Sequence, residues 1–168
     1  MLLQDSRRWW TFTAIILLFS AGWTWLSRVP DSAASGGRIA SPREGFPAPD
    51  FTLADLNGDT TTLSSRQGKV VLVNLWASWC GPCRAEMPAI QKLYEANRDR
   101  GLEVLAVNST FQDNEADARA FVQNLNLTLP VLLDQDGSVS RRYLLRALPS
   151  TFIIDRKGII RAVIVGGP

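Results

Sequence analysis

Residues 9 to 27, Trp9 through Ser27, carry no charged side chain and contain the run Ile15-Ile16-Leu17-Leu18-Phe19. As a helix this stretch spans roughly 28 Å, close to the hydrocarbon thickness of a bilayer. Trp9 and Trp10 at one end and Trp23 and Trp25 at the other stand where interfacial belts form, and Arg7 and Arg8 precede the run while only Arg28 follows closely. The pattern predicts a membrane anchor over 9–27, with residues 1–8 in the cytoplasm and the rest of the chain outside. A cleaved signal peptide is the competing reading, because Ser20-Ala21-Gly22 and Ala33-Ala34 offer small residues to a peptidase. A buried core helix is disfavoured by a run that is apolar all round and stands at the terminus. Both exporting readings put the remainder of the chain in an extracytoplasmic compartment.

From 28 to 49 the pattern disappears. This stretch holds four of the nine prolines, Gly36-Gly37 and scattered serines, a composition that buries little apolar surface and predicts a semi-extended tether. Globular patterning starts near Asp50, and residues 50–168 suffice for one hydrophobic core. Phe51 to Leu63 has the look of a short hairpin turning at Asn57-Gly58. Val70 to Trp76 reads as a buried parallel strand, and Met87, Ile90, Leu93 and Tyr94 recur at helical spacing in a helix of about 82–98. Pro82 suits a first helical turn, and Pro88, unable to bond the Arg84 carbonyl, predicts a kink. Gly101 stops the helix before a second apolar strand, Leu102 to Val107, and strand–helix–strand implies a right-handed parallel crossover. Ala116, Ala120, Phe121 and Leu125 space another helix, Val131 to Leu133 a short strand and Val139 to Leu145 a short helix. Phe152-Ile153-Ile154 and Ile159-Ile160 then flank a turn at Asp155-Arg156-Lys157-Gly158.

Both cysteines of the chain lie at one junction of this pattern, as Cys80-Gly81-Pro82-Cys83 between the first strand and its helix. The first N–H groups of a helix lack internal partners and its dipole favours an anion, so a thiolate at Cys80 is stabilised there. Three other readings compete with a redox dithiol. A structural disulfide gains most by closing a long loop, and this one closes almost none. Zinc needs about four ligands, and the chain has no histidine and no further cysteine. A pair of inert buried thiols does not account for Gly-Pro turn chemistry between them.

The absence of histidine removes Ser/His/Asp and Cys/His catalysis, and histidine ligation of zinc, copper or haem. A net charge of +2 with 20% charged residues offers no nucleic-acid footprint, and no repeat is present. Asp134-Gln135-Asp136-Gly137 begins like a calcium loop but lacks the later ligands, including a glutamate, and reads as a plain turn. A peroxiredoxin would place proline seven and threonine or serine three residues before its reactive cysteine, where Val73 and Ala77 stand.

The stretch Val70-Val71-Leu72-Val73-Asn74-Leu75-Trp76-Ala77-Ser78-Trp79-Cys80-Gly81-Pro82-Cys83-Arg84-Ala85-Glu86-Met87-Pro88 closely resembles the thioredoxin-like, membrane-anchored thiol-disulfide oxidoreductases of the TlpA/ResA/CcmG type. The likeness extends from Phe46-Pro47-Ala48-Pro49-Asp50-Phe51 to Leu148-Pro149-Ser150-Thr151-Phe152-Ile153-Ile154-Asp155. It implies an α/β thioredoxin fold with an N-terminal hairpin and a central strand–helix insertion, here Leu102 to about Leu127. Cys80 would then be the nucleophile and Cys83 the resolving thiol, with no cofactor beyond the dithiol. Pro149 would be a cis-proline shaping the substrate groove, with the Leu148 backbone pairing to an extended peptide; a trans proline opening a strand is the plainer alternative. Glu86, at i+3 from Cys83, would handle the resolving proton, against the plainer reading of a solvated helix glutamate. Trp79 would border the groove, although both it and Trp76 could simply pack in the core.

Two departures stand out. Asn74 occupies the strand position where thioredoxin itself usually has a buried aspartate, and an amide cannot titrate, which leaves acid–base work to Glu86 or water. The usual C-terminal helix has no counterpart before Pro168, so in a complete chain that sheet face is bare or covered by something else, and a truncated sequence is equally compatible. The resemblance further implies a reductant of Cys-x-x-Cys disulfides in exported proteins such as apocytochrome c, supplied by a membrane thiol transporter of the DsbD/CcdA type in a bacterial cell membrane. A thiol oxidase or isomerase of the same fold, or a non-catalytic tethered assembly module, is the alternative.

Overall fold

The structure is a computed structural model that describes Ile16 and residues 39–166. The predicted anchor and cytoplasmic tail, and the tether up to residue 38, lie outside the described residues apart from Ile16. No helix among the described residues is long and apolar enough to cross a membrane. Every element below belongs to the unit Arg38–Pro168.

A two-stranded antiparallel hairpin comes first, β1 (Thr52–Ala54) with β2 (Thr60–Thr62). Gly58, in its turn, has φ +91°, a conformation that glycine adopts without a Cβ penalty. Then follow β3 (Val70–Trp76), α1 (Gly81–Asn97), β4 (Leu102–Asn108), α2 (Glu115–Asn124), β5 (Val131–Leu133), α3 (Ser138–Arg142), β6 (Ser150–Ile154) and β7 (Ile160–Val165). Helix α1 passes through Pro88 as one element and gives way to a 3₁₀ turn before Gly101 at φ +91°. The five-stranded sheet has the order β5-β4-β3-β6-β7, with β3, β4 and β5 parallel and β6 and β7 antiparallel. With β3 in its middle, the strand leading to Cys80 is paired on both edges.

Strand periodicity divides the core in two. Val71, Val73 and Leu75 of β3 face the hairpin side with Phe51, Leu53, Val139, Tyr143 and Phe152. Leu72 and Trp76 face α1 and α2, packing with Cys83, Met87, Ile90, Ala118 and Phe121. The Trp76 and Phe121 rings stack 4.5 Å apart, and the Arg84 guanidinium covers Phe121 at 4.7 Å. Residue 74 shares the parity of Leu72 and Trp76, so its polar side chain lies on the face that α1 covers.

Hydrogen bonding to the domain starts earlier than Asp50, inside the stretch read as tether. Gly45 donates to the Ile160 carbonyl, Ala48 to that of Gly158, and Pro47 bridges Ile159. The prolines here fix an extended chain along β7 that composition alone reads as unpaired. β7 is the last described element, and its Ile164 and Val165 are exposed.

Candidate active site

Cys80 is the N-cap of α1 and is disulfide-bonded to Cys83. Its sulfur accepts the Cys83 N–H at 3.2 Å, and its carbonyl accepts Arg84 N–H. This geometry follows from the sequence: β3 delivers the chain to the sheet end, Ala77 to Trp79 turn it, and Pro82 starts the helix where no N–H is needed. Cys80 is 5% exposed and borders an open cleft, whereas Cys83 is fully buried against the α1–sheet core. An incoming sulfur therefore meets Cys80.

The cleft, about 660 Å³, is floored by Cys80, Gly81 and Pro82. Trp79, 61% exposed, lines it with Phe111 and Gln112, as do Ser140, Arg141 and the segment from Leu144 to Leu148. The Leu148–Pro149 peptide is cis, and β6 begins immediately after it. Leu148 lines the cleft and its backbone N–H and C=O make no hydrogen bond among the described residues. Trp79 and Leu148 thus sit at the cleft with Cys80, while Trp76 is a core residue.

Beneath the dithiol, the buried Asn74 amide donates to Glu86 Oε1 at 2.7 Å and to Thr151 Oγ1 at 2.9 Å. The register Asn74↔Thr151 across β3 and β6 brings the second pair together, and Glu86 reaches down from α1 one turn beyond Cys83. Burial pushes the Glu86 carboxyl above its ordinary range, against the lowering pull of the Asn74 bond. Among the described residues the Asn74 Oδ1 has no hydrogen-bond partner.

A second polar knot holds the turn before Cys80. Asp113 accepts the Ser78 N–H at 2.6 Å, the Ser78 hydroxyl at 2.7 Å and the Asn108 amide at 2.8 Å. Burial acts to raise the Asp113 carboxyl, but the Ser78 side-chain and backbone bonds, with those from Asn108 and the Asn114 backbone, outweigh it and hold it below the ordinary range. Next to it the Trp79 indole N–H donates to the Gln112 carbonyl at 3.1 Å. The loop following β4 is thereby fastened to the loop that carries Cys80.

A sequence profile described as the AhpC/TSA family matches residues 45–163. The chain belongs to the AhpC/TSA family. Within the family the similarity is to thioredoxin-like proteins: YneN of Bacillus subtilis is 44% identical over 125 residues, 74% of this chain and 72% of that one. The thiol-disulfide oxidoreductase ResA of Bacillus subtilis is 32% identical over 166 residues, 98% of this chain and 88% of ResA. The thioredoxin domain of a thiol-disulfide oxidoreductase from Bacteroides vulgatus superposes with a TM-score of 0.68 at 29% identity, covering 74% of this chain and 90% of that structure. This AhpC/TSA member is a thiol-disulfide oxidoreductase of thioredoxin-like fold.

Sequence reasoning linked Asn74 to Glu86 through acid–base work but not through contact, and it missed Asp113, Phe111 and Leu144. Asp113 lies in a polar stretch, Gln112-Asp113-Asn114, where an acidic side chain is indistinguishable from helix-cap chemistry; Asn114 does cap α2. Asp134 is buried and accepts the Val139 and Ser140 N–H groups while Asp136 accepts that of Ser138, so the would-be calcium loop is a cap for α3. Among the described residues, no cluster of Cys, Asp or Glu could hold a metal ion.

Proposed function

We propose that the domain is a reductant on the extracytoplasmic face of a bacterial membrane, tethered by residues 9–27, and that it opens Cys-x-x-Cys disulfides of exported polypeptides such as apocytochrome c. The observation that carries this reading is the placement of Cys80 at a helix N-terminus on the floor of an open cleft, with Cys83 buried behind it. In the reduced protein the thiolate of Cys80 attacks one sulfur of the substrate disulfide, forming a mixed disulfide and releasing a substrate thiolate that takes up a proton. Cys83, losing its proton, attacks Cys80, restoring the 80–83 bond and freeing the second substrate thiol. Two electrons and two protons pass to the substrate. Glu86, one helical turn from Cys83 and carrying a carboxyl disposed to hold a proton, is the group assigned to accept the proton of Cys83. The unpaired backbone of Leu148 supports an extended substrate held beside Cys80 through main-chain hydrogen bonds.

Re-reduction of the 80–83 bridge requires a dithiol donor, for which a transporter of the DsbD/CcdA type fits an exported domain. The direction rests on Gly-Pro between the cysteines, as in reducing thioredoxins. Equilibration of the full-length protein in neutral detergent against dithiothreitol buffers tests it: a reduction potential well below about −200 mV supports a reductant, and one near −120 mV makes the protein an oxidase or isomerase. Normal cytochrome c maturation after deletion of the gene would remove that substrate from the proposal. A Cys80→Ala, Cys83→Ala double variant that complements a deletion would favour an assembly module.

A further inference from the structure

Three large apolar side chains that the fold leaves in solvent, Trp79, Phe111 and Leu144, all line the cleft around Cys80. Their placement is maintained rather than incidental. Trp79 is tied to the Gln112 carbonyl, the Phe111 N–H donates to the Asp134 carbonyl, and Leu144 sits at φ +51°, a left-handed conformation unfavourable for a residue with a Cβ. Strained residues of this kind persist where the surroundings over-determine them, commonly at ligand clamps. The Leu144 side chain is 55% exposed.

The charge along the same wall has one sign. Arg141 and Arg146 line the cleft, and among the described residues no acidic side chain does. Arg141 donates to the Asp136 carbonyl at 2.9 Å, whereas Arg146 forms no hydrogen bond or ion pair among the described residues. Arg146 precedes Leu148 by two residues, and both line the cleft.

We propose that the cleft selects extended polypeptides that carry a large apolar side chain and an acidic side chain flanking the reacting disulfide, with Leu144 reading the apolar group and Arg146 the carboxylate. This rests on the reading of Cys80 and Cys83 as a dithiol that exchanges with polypeptide disulfides. An exposed arginine adds modest affinity but raises encounter rates for the opposite charge and rejects the like charge, and the effect is screened by salt.

The test uses the full-length reduced protein in neutral detergent and short peptides bearing an oxidised Cys-x-x-Cys. The flanks carry Phe or Gly paired with Glu or Lys, on either side of the cysteines, and rates are read by stopped-flow. At low ionic strength the Phe-Glu peptide is expected to react about three- to tenfold faster than Phe-Lys, the ratio falling towards one in high salt. Arg146→Glu reverses that ratio, which is read within the variant so that any general change in reactivity cancels. Leu144→Gly, whose backbone suits the left-handed conformation, abolishes the advantage of Phe over Gly flanks while its thermal midpoint stays level or rises. Equal rates for Glu and Lys peptides, a Lys preference, or an Arg146→Glu ratio unchanged from wild type overturns the inference. Hydroxyethyl disulfide separates the two levels: if wild type reduces it but treats all peptides alike, only the selectivity falls, and if wild type fails on it as well, the dithiol reading falls too.

Discussion

Replacing Asp113 by asparagine should loosen the loop that carries Cys80. The carboxylate accepts two bonds from Ser78 and one from Asn108, all at 2.8 Å or less. Asparagine presents one acceptor oxygen and turns an NH₂ group towards donors that need an acceptor. Bonds to a charged group contribute roughly 1.5–3 kcal/mol each, but Asp113 and Ser78 are only partly buried, so water replaces part of the loss and the net cost is about 2 kcal/mol. For a domain of this size that lowers the thermal midpoint by about 8 °C. The pH dependence carries a second signature. The Asp113 carboxyl is held below its ordinary range, so its stabilisation is complete above the unfolded-state pKa and is lost as pH falls through the lower folded value. Thermal unfolding of wild type and variant from pH 7 downwards should therefore show a gap that narrows in acid. A double-mutant cycle with Ser78→Ala should return a coupling of about 1 kcal/mol. A variant within about 0.5 kcal/mol of wild type at pH 7, or a gap that stays constant into acid, would refute the reasoning.

Glu86→Gln should remove one ionisation, lying above the ordinary carboxylate range, from the pH profile of thiol exchange measured with protein disulfides. Because burial raises the Glu86 carboxyl in the folded state, the wild type loses stability as pH rises through it, so Glu86→Gln gains relative to wild type from acid to neutral pH; parallel curves would deny the shift. Asn74→Asp places a second carboxyl beside Glu86, where the pair shares one proton, and denaturant midpoints at pH 5 and pH 8 should reveal a steep loss at the higher pH. Gly137→Ala sets a Cβ 3.0 Å from the Phe111 ring and the Arg141 guanidinium at φ +71° and should cost about 1–2 kcal/mol by chemical unfolding, with Phe111 displaced towards the cleft.

Much of this protein is legible in the chain. The strand at 70–76, the helix that follows, the crossover to 102–108 and both hairpins are recorded in local periodicity and in Gly and Pro punctuation, because each depends on neighbours within a few residues. The dithiol was equally plain, since Cys80 and Cys83 and the helix start that activates them lie within four positions. The pairing of residues 45–48 is not legible in the chain because their partners, Gly158 to Ile160, lie more than a hundred residues away and their own stretch is polar and proline-rich.

By itself, then, the sequence determined the redox pair, its place at a strand–helix junction, and the order of elements. The tertiary structure alone decided what surrounds that pair. Asn74 meets Glu86 across 12 residues and Ser78 meets Asp113 across 35, while Trp79, Phe111 and Leu144 gather at one cleft from three separate loops. Short-range patterning reports which face of an element is apolar, but contacts between loops depend on strand order and register, which are set by the packing of the whole sheet.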